Sequence, residues 1–293
     1  MRLIPGDAAL LMVVGGEDAL YDPALVESLR QRLGLDRPYI VQYADWVWRI
    51  VRYGDLGTSF WTEEPVATEI LRRLPVTVEL AVGTVAISLL IAIPAGVISA
   101  IRQDSAMDYT GRFISIAGLS MPSFWLATLF IIFGAIWFGY IPPLGYTSPW
   151  EDPWINFQQF ILPCIAMGFH DSARSMRMTR SQMLEVVRQD YIRTAWAKGL
   201  RERSVILRHA LRNAMIPVTT VVGIDFGYLL GRTVVVEAVF SLPGLGSLTL
   251  AAIQHRDYPQ IQGNVLIIAT MFLAVNFIVD MLYAVIDPRI RYR

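Results

Sequence analysis

The chain has 293 residues, of which 54% are A, V, I, L, M, F, W, Y or C and only 17% are charged, against about 25% charged for an average soluble domain. Twenty-five basic residues balance twenty-five acids and the mean hydropathy is +0.45, so the composition is that of a membrane protein with no basic excess for a nucleic-acid partner. The single cysteine, Cys164, excludes an internal disulfide or a cysteine-based zinc site, and with His170, His209 and His255 scattered no metal or cofactor is expected in this chain.

Residues 1–74 read as a water-facing region. Turn signals at Pro5-Gly6-Asp7, Gly15-Gly16, Gly34 and Gly54-Asp55 surround an amphipathic helix expected from Pro23 to Leu33. The region holds eight arginines and eleven acids and no basic start before an apolar run, so it is not a cleavable signal peptide.

Five apolar segments follow. Thr77 to Ile101 carries one charge, Glu79, in twenty-five residues, enough to cross a hydrocarbon core of ~30 Å. Phe113 to Ile141 is uncharged over twenty-nine residues, with Trp137 and Tyr140 placed for an interfacial belt. Phe157 to about Met178 starts apolar and then admits His170, Asp171, Arg174 and Arg177. Ala214 to Val236 contains Asp225 and Arg232, and Gly263 to Ile286 contains Asp280. No soluble fold needs five such segments, and no internal repeat is visible, so the fold expected is an all-α polytopic membrane protein with five spanning helices.

Charge between the segments sets the orientation. From Arg174 to Arg212 ten bases face three acids, and Arg289, Arg291 and Arg293 follow the last segment; both stretches are cytoplasmic by the positive-inside rule. The loops Pro142 to Gln159 and Glu237 to Gln262, with only Arg256 as a base between them, fall outside. The expected division is therefore an extracytoplasmic region 1–74, a transmembrane domain 75–288 with a cytoplasmic loop 179–213, and a cytoplasmic tail 289–293. Nothing in residues 1–74 exports them, so either a hydrophilic tail crosses unaided or a further spanning helix precedes Met1.

The cytoplasmic loop holds the most informative run. Tyr191 to Lys198 has helical composition, Gly199 can take positive φ and stop that helix, and a basic helix then leads to Pro217, where the next spanning helix is expected to begin. The only lysine, Lys198, is followed by Gly199, so no GxxxxGK[ST] phosphate loop exists and the chain is not itself an ATPase of that kind. Neither is there a GxSxG, and His170-Asp171 beside Ser172 and Ser175 have the wrong helical spacing for a hydrolase triad. Taken by itself the basic segment is also compatible with an amphipathic helix lying on anionic headgroups.

Arg193-Thr-Ala-x-Ala-Lys-Gly199, a basic helix, and Asn213-Ala-x-Ile-Pro217 resemble the EAA-type loop of ABC importer permeases, in the dipeptide/oligopeptide/nickel branch where Arg-Thr stands for Glu-Ala. Leu3-Ile-Pro-Gly-Asp7, Leu33-Gly-Leu-Asp-Arg-Pro38, Gly54-Asp-Leu-Gly-Thr-Ser59, Phe240-Ser-Leu-Pro-Gly-Leu-Gly246, Arg256-Asp-Tyr-Pro259 and Asp287-Pro-Arg-Ile-Arg-Tyr292 resemble the same branch over nearly the whole chain. The resemblance implies the type I ABC importer transmembrane (MetI-like) fold, with six helices in the family and its first absent here. It implies a bacterial or archaeal plasma-membrane protein carrying peptides or similar small solutes by alternating access. Its implied partners are a second permease, two cytoplasmic ATPases and an extracytoplasmic binding protein. In the coupling loop it implies that Arg193, Thr194, Ala195, Lys198, Gly199, Leu200 and Pro217 form a lever set by Gly199, whose short helix after Gly199 enters the ATPase while Arg201, Glu202 and Arg203 dock by charge.

The remaining candidates are intramembrane charges. Asp225 and Arg232 are two turns apart on one helix face, and with Asp171 and Asp280 they either line a polar translocation path or pair to hold helices together. Asp171 and Arg174, at i and i+3, suit a local pair, and Glu79 and Glu237 suit the interface. The turn Pro243-Gly-Leu-Gly246 and the short apolar helix after it suit a re-entrant element, a docking surface or an ordinary interfacial loop. The alternative function from another class is a secondary transporter or channel whose basic amphipathic loop faces lipid.

Overall fold

The computed structural model describes residues 23–32 and 36–286. Among them every regular element is a helix, and the one extended pairing is an isolated bridge between Thr58 and Pro65. The turn signals at residues 5–7, 15–16 and 34 and the tail 287–293 lie outside the described residues.

Helix α1 (Pro23–Arg32) ends close to the expected boundary, and α2 (Tyr39–Tyr53) follows it. Helix α2 stops at Gly54, whose φ of 65° turns its amide back to the carbonyls of Arg49 and Ile50. Helix α3 (Val66–Ile101) starts well before the expected Thr77 and runs through Pro75, which lacks the N–H an interior residue donates. Tertiary packing carries it: Val66, Ile70 and Leu74 sit against Leu245, Leu248, Leu266 and Ile267.

The second segment corrects the expectation of one straight helix. It divides into α4 (Ala106–Ser120) and α5 (Ser123–Phe138), bent by 99° at a break. Pro122 explains the break: the residue before a proline is pushed to extended backbone, and Met121 has φ −99° and ψ 123°. Helix α6 (Pro153–Val187) is capped by Asp152, whose carboxylate accepts the amides of Trp154 and Ile155, both at 3.0 Å. After it come α7 (Asp190–Ala197), the single turn α8 (Glu202–Ser204), a π-helical stretch Val205–Ala210, α9 (Leu211–Val239), α10 (Leu245–Gln254) and α11 (Tyr258–Ile286).

By length and apolarity α3 and α11 qualify as membrane spans, and counting each bent pair as one gives four. Helix α6 does not qualify by apolarity, yet it runs parallel to α3. Cys164 lies at Leu80, Gly168 at Thr84, and Gly96 against Thr179, a shared path of sixteen residues on α3, or about 24 Å. A side chain at Gly96 would have to fit within 3.0 Å of Thr179 and the Met176 carbonyl, so glycine permits this approach. Helices α4 and α9 run antiparallel to α6, through Ser115 to Ala173 and Arg174 to Asp225. Helix α11 runs antiparallel to α9, with Phe272 against Gly227 and Val279 against Gly223. The directions reproduce the alternation that the loop charges imply.

Two buried carboxylates tie helix ends together, and the sequence does not reveal either role. Asp108, fully buried, receives Arg180 of α6 through two bonds of 2.8 Å, Arg112 at 3.2 Å and the hydroxyl of Ser99 on α3. Glu237, near the end of α9, is fully buried: it accepts the Thr77 hydroxyl at 2.8 Å and the Ser247 amide at 2.9 Å, pinning the start of α10 to α3 and α9. In the loop between α5 and α6, Tyr146 donates to Glu79 at 3.3 Å, and burial with that carboxylate's charge pushes its phenol up from the ordinary value. Asp257 accepts the Ser59 hydroxyl at 2.5 Å and the Phe60 amide at 3.1 Å, and Trp61 stacks on His255 at 3.8 Å between ring centroids.

Candidate functional site

The corner at Gly199 is built from α7 outward. Helix α7 buries two residues one turn apart, Ile192 and Ala195, against Met183 of α6 and Val205, Ile206 and Ala210 of the following helix. Its other faces are open: Tyr191, Arg193, Thr194, Trp196 and Lys198 are exposed. The helix closes with both hydrogen bonds of a Schellman motif, Gly199 N to Trp196 O at 2.9 Å and Leu200 N to Ala195 O at 3.4 Å. Gly199 takes φ +73° and a Cβ there would meet nothing within 4 Å, so glycine is required by backbone handedness and not by crowding. The Asn213 amide donates to Tyr191 Oη at 3.0 Å and to the His209 carbonyl at 2.8 Å, bracing α7 against the foot of α9.

Three expectations change here. The free-standing short helix is α7, before Gly199; the helix after it runs on from Glu202 through the π-helical stretch into α9 with no chain break. Leu200 precedes that helix and is exposed, and Pro217 lies inside α9 where a spanning helix was expected to begin. A helix entering a bilayer tolerates an interior proline when its neighbours re-satisfy the freed carbonyl, so the proline is a poor boundary marker. Of the residues named for the loop, Ala195 is buried, Pro217 half-buried, and Arg193, Thr194, Lys198, Gly199, Leu200, Arg201, Glu202 and Arg203 are exposed around one corner.

The intramembrane charges form a crossed pair of ion bridges. Arg174 Nη1 reaches Asp225 Oδ1 at 2.7 Å and Arg232 Nη2 reaches Asp171 Oδ1 at 2.9 Å. Asp171 and Arg174, suited by spacing to pair with each other, each bond across to α9 instead. Arg174 is the member whose role sequence reasoning missed. The signal available was a helix carrying Asp171 and Arg174 beside a helix carrying Asp225 and Arg232, which allows pairing across the two helices as well as along one. The side chain of Asp280 lies outside the described residues.

The chain matches the binding-protein-dependent transport system inner membrane component over residues 92–292, and that family's N-terminal region over residues 1–81. It is 44% identical over 292 residues to a Brucella abortus protein named for a peptide transport system permease, covering 100% of this chain and 91% of that one. It is 42% identical over 313 residues to the dipeptide transport system permease protein DppB of Alkalihalophilus pseudofirmus, covering 100% and 92%. In fold it is similar to the inward-facing MetNI methionine ABC transporter, with a TM-score of 0.60 over 74% of this chain and 96% of that one, at 16% identity. The chain belongs to the binding-protein-dependent transport system inner membrane component family: it is a transmembrane permease subunit of the ABC importer type.

Proposed function

We propose that this chain forms one half of the membrane pathway of a bacterial plasma-membrane importer of peptides, with cargo delivered by an extracytoplasmic binding protein and movement driven by two ATPase subunits. The second half is a partner permease. The relatives named for peptide and dipeptide transport support this cargo class, and the Gly199 corner is the observation that carries the mechanism. Residues 1–74 face outside and 179–213 face the cytoplasm, as the loop charges require.

The corner suits an energy-coupling device. A short helix with an exposed outer face, anchored by Ile192 and Ala195 and locked by a left-handed glycine, moves as a body with α6 and α9. Closure of an ATPase dimer against Tyr191, Arg193, Thr194, Trp196 and Lys198 would tilt both helices together, while Leu200, Arg201, Glu202 and Arg203 extend the docking rim. Rigid-body movement between two packed arrangements is the physical form of alternating access. On the membrane side, Asp171, Arg174, Asp225, Arg232 and Asp280 supply the polar lining of the path, since mid-bilayer charges face protein or water and not lipid.

Affinity purification of the detergent-solubilised chain from its own cells, followed by identification of co-purifying proteins and an ATPase assay, tests the reading. Recovery of two P-loop ATPases and a second permease is expected. Recovery of the chain alone, with ion-driven uptake in liposomes, would overturn it.

A further inference from the structure

The crossed ion pairs use only part of what their arginines offer. A guanidinium carries five N–H donors in a planar fork. Arg174 hydrogen-bonds to one oxygen of Asp225 and Arg232 to one oxygen of Asp171. The partners are unequally placed: the side chains of Asp225 and Asp171 are 10% and 9% exposed, while those of Arg174 and Arg232 are 57% and 43% exposed. Asp171 Oδ2 is buried without a hydrogen-bond partner, so Arg232 is tethered by one oxygen and not clamped by two. The cluster is neutral in sum, but its carboxylates lie beneath and its open surface is cationic.

Depth makes that surface informative. Asp225 is the middle residue of the 29-residue α9, fourteen residues from Leu211 and fourteen from Val239. Half-exposed guanidinium groups at that depth are not stable against acyl chains, so they face a wet cavity or its contents.

We propose that Arg174 and Arg232 form a carboxylate subsite of the translocation path, taking the C-terminal carboxylate of a peptide in transit. The proposal rests on the importer reading above and adds to it the chemical group recognised and the residues that recognise it. Asp225 and Asp171 are positioning residues: each holds its arginine by one bond and leaves the outer edge of the fork free for a second, incoming carboxylate. Because each guanidinium stays tethered to its own buried acid, the cargo shares the charge and does not capture it, so the contact is weak enough to release.

Two measurements on the complete transporter test this. The first uses phenylglyoxal, which modifies exposed arginines, with mass-spectrometric readout at Arg174 and Arg232. N-acetylglycine is expected to slow modification of both residues, and N-acetylglycinamide, the same size without the carboxylate, to leave it unchanged. The second uses proteoliposomes supplied with binding protein and a casein hydrolysate, imported peptides being counted by mass spectrometry. Arg174→Gln and Arg232→Gln should each cut import by about tenfold or more, the scale of a lost charge-assisted hydrogen bond. Their lysine counterparts, which keep the charge, should retain part of it, with co-purification of the partner subunits intact throughout. Unreactive arginines, equal protection by the amide, or import within twofold of the unsubstituted complex in both Gln variants would overturn the subsite while leaving the importer reading standing. Loss of the partner permease in Gln and Lys variants alike would assign both arginines to the subunit interface and overturn it too. No peptide import by the unsubstituted complex would refute the peptide reading itself, and the subsite with it.

Discussion

Arg174 of α6 bonds to Asp225 of α9 at 2.7 Å, although Asp171, one turn away on its own helix, is free by sequence spacing to take it. Asp171 instead receives Arg232 at 2.9 Å, so α6 and α9 are joined by two bridges in antiparallel order. Each carboxylate is buried and each base is half-exposed, which makes the acids the structural members and the bases the adaptable ones. If the bridges hold the two helices in register, reversing the Arg174–Asp225 pair should recover stability that either single reversal loses. A double-mutant cycle of thermal unfolding in detergent is expected to give a coupling of roughly 1–2 kcal/mol. A coupling near zero would show that the two helices are held by packing alone.

Gly199 sits at φ +73° with open space around it. Asparagine visits this backbone region more readily than other residues, whereas a β-branched residue there costs about 1–2 kcal/mol or more. Gly199→Asn is therefore expected to keep transport, and Gly199→Val to uncouple ATP hydrolysis from uptake with membrane insertion unchanged. Uptake by Gly199→Val at the unsubstituted rate would disprove the lever.

The two sides of α7 should separate in experiment. Ile192 is fully buried against Met183, Val205 and Ala210, so Ile192→Ala should cost about 2–5 kcal/mol and lower the melting temperature of the chain. Trp196 is 42% exposed, and Trp196→Ala should leave the melting temperature within a degree or two while weakening recovery of the ATPase, as loss of an aromatic anchor does. The opposite pattern would place the docking face elsewhere.

Asp108 and Arg112 offer a paired test of burial. Asp108→Ala removes a fully buried carboxylate and strands Arg180, for which roughly 3–5 kcal/mol is expected. Arg112→Ala removes a partner that is 38% exposed and should cost under about 1 kcal/mol. Comparable melting temperatures for the two variants would mean that Asp108 is not the junction of α3, α4 and α6.

Much of the architecture was legible because a bilayer enforces simple rules. Apolar runs of sufficient length must span, and basic loops must stay inside. The left-handed turn at Gly199 could be read too, since a glycine after a helical run ending in a cation has few other uses. Boundaries were less legible. Val66 to Val76 is helical because its apolar side chains meet α10 and α11, residues far away in sequence, and a local reading sees only the proline at 75. The bend at Pro122 was written in the sequence but hidden inside an uninterrupted apolar run.

What the sequence determined by itself is the class of the protein and the left-handed turn at Gly199, both of which follow from solvent preference and local backbone chemistry. Only the tertiary structure decided the pairings: Arg174 with Asp225, Arg232 with Asp171, Asp108 with Arg180, Glu237 with Thr77 and Ser247. It also decided which of the two helices flanking Gly199 stands free, because α8 joins the helical run into α9 without a chain break while α7 is held by Ile192, Ala195 and the Asn213–Tyr191 bond. The reason is common to all of these. An ionic group inside a membrane takes the nearest opposite charge in space, and spacing along one helix cannot say which neighbouring helix will bring it there.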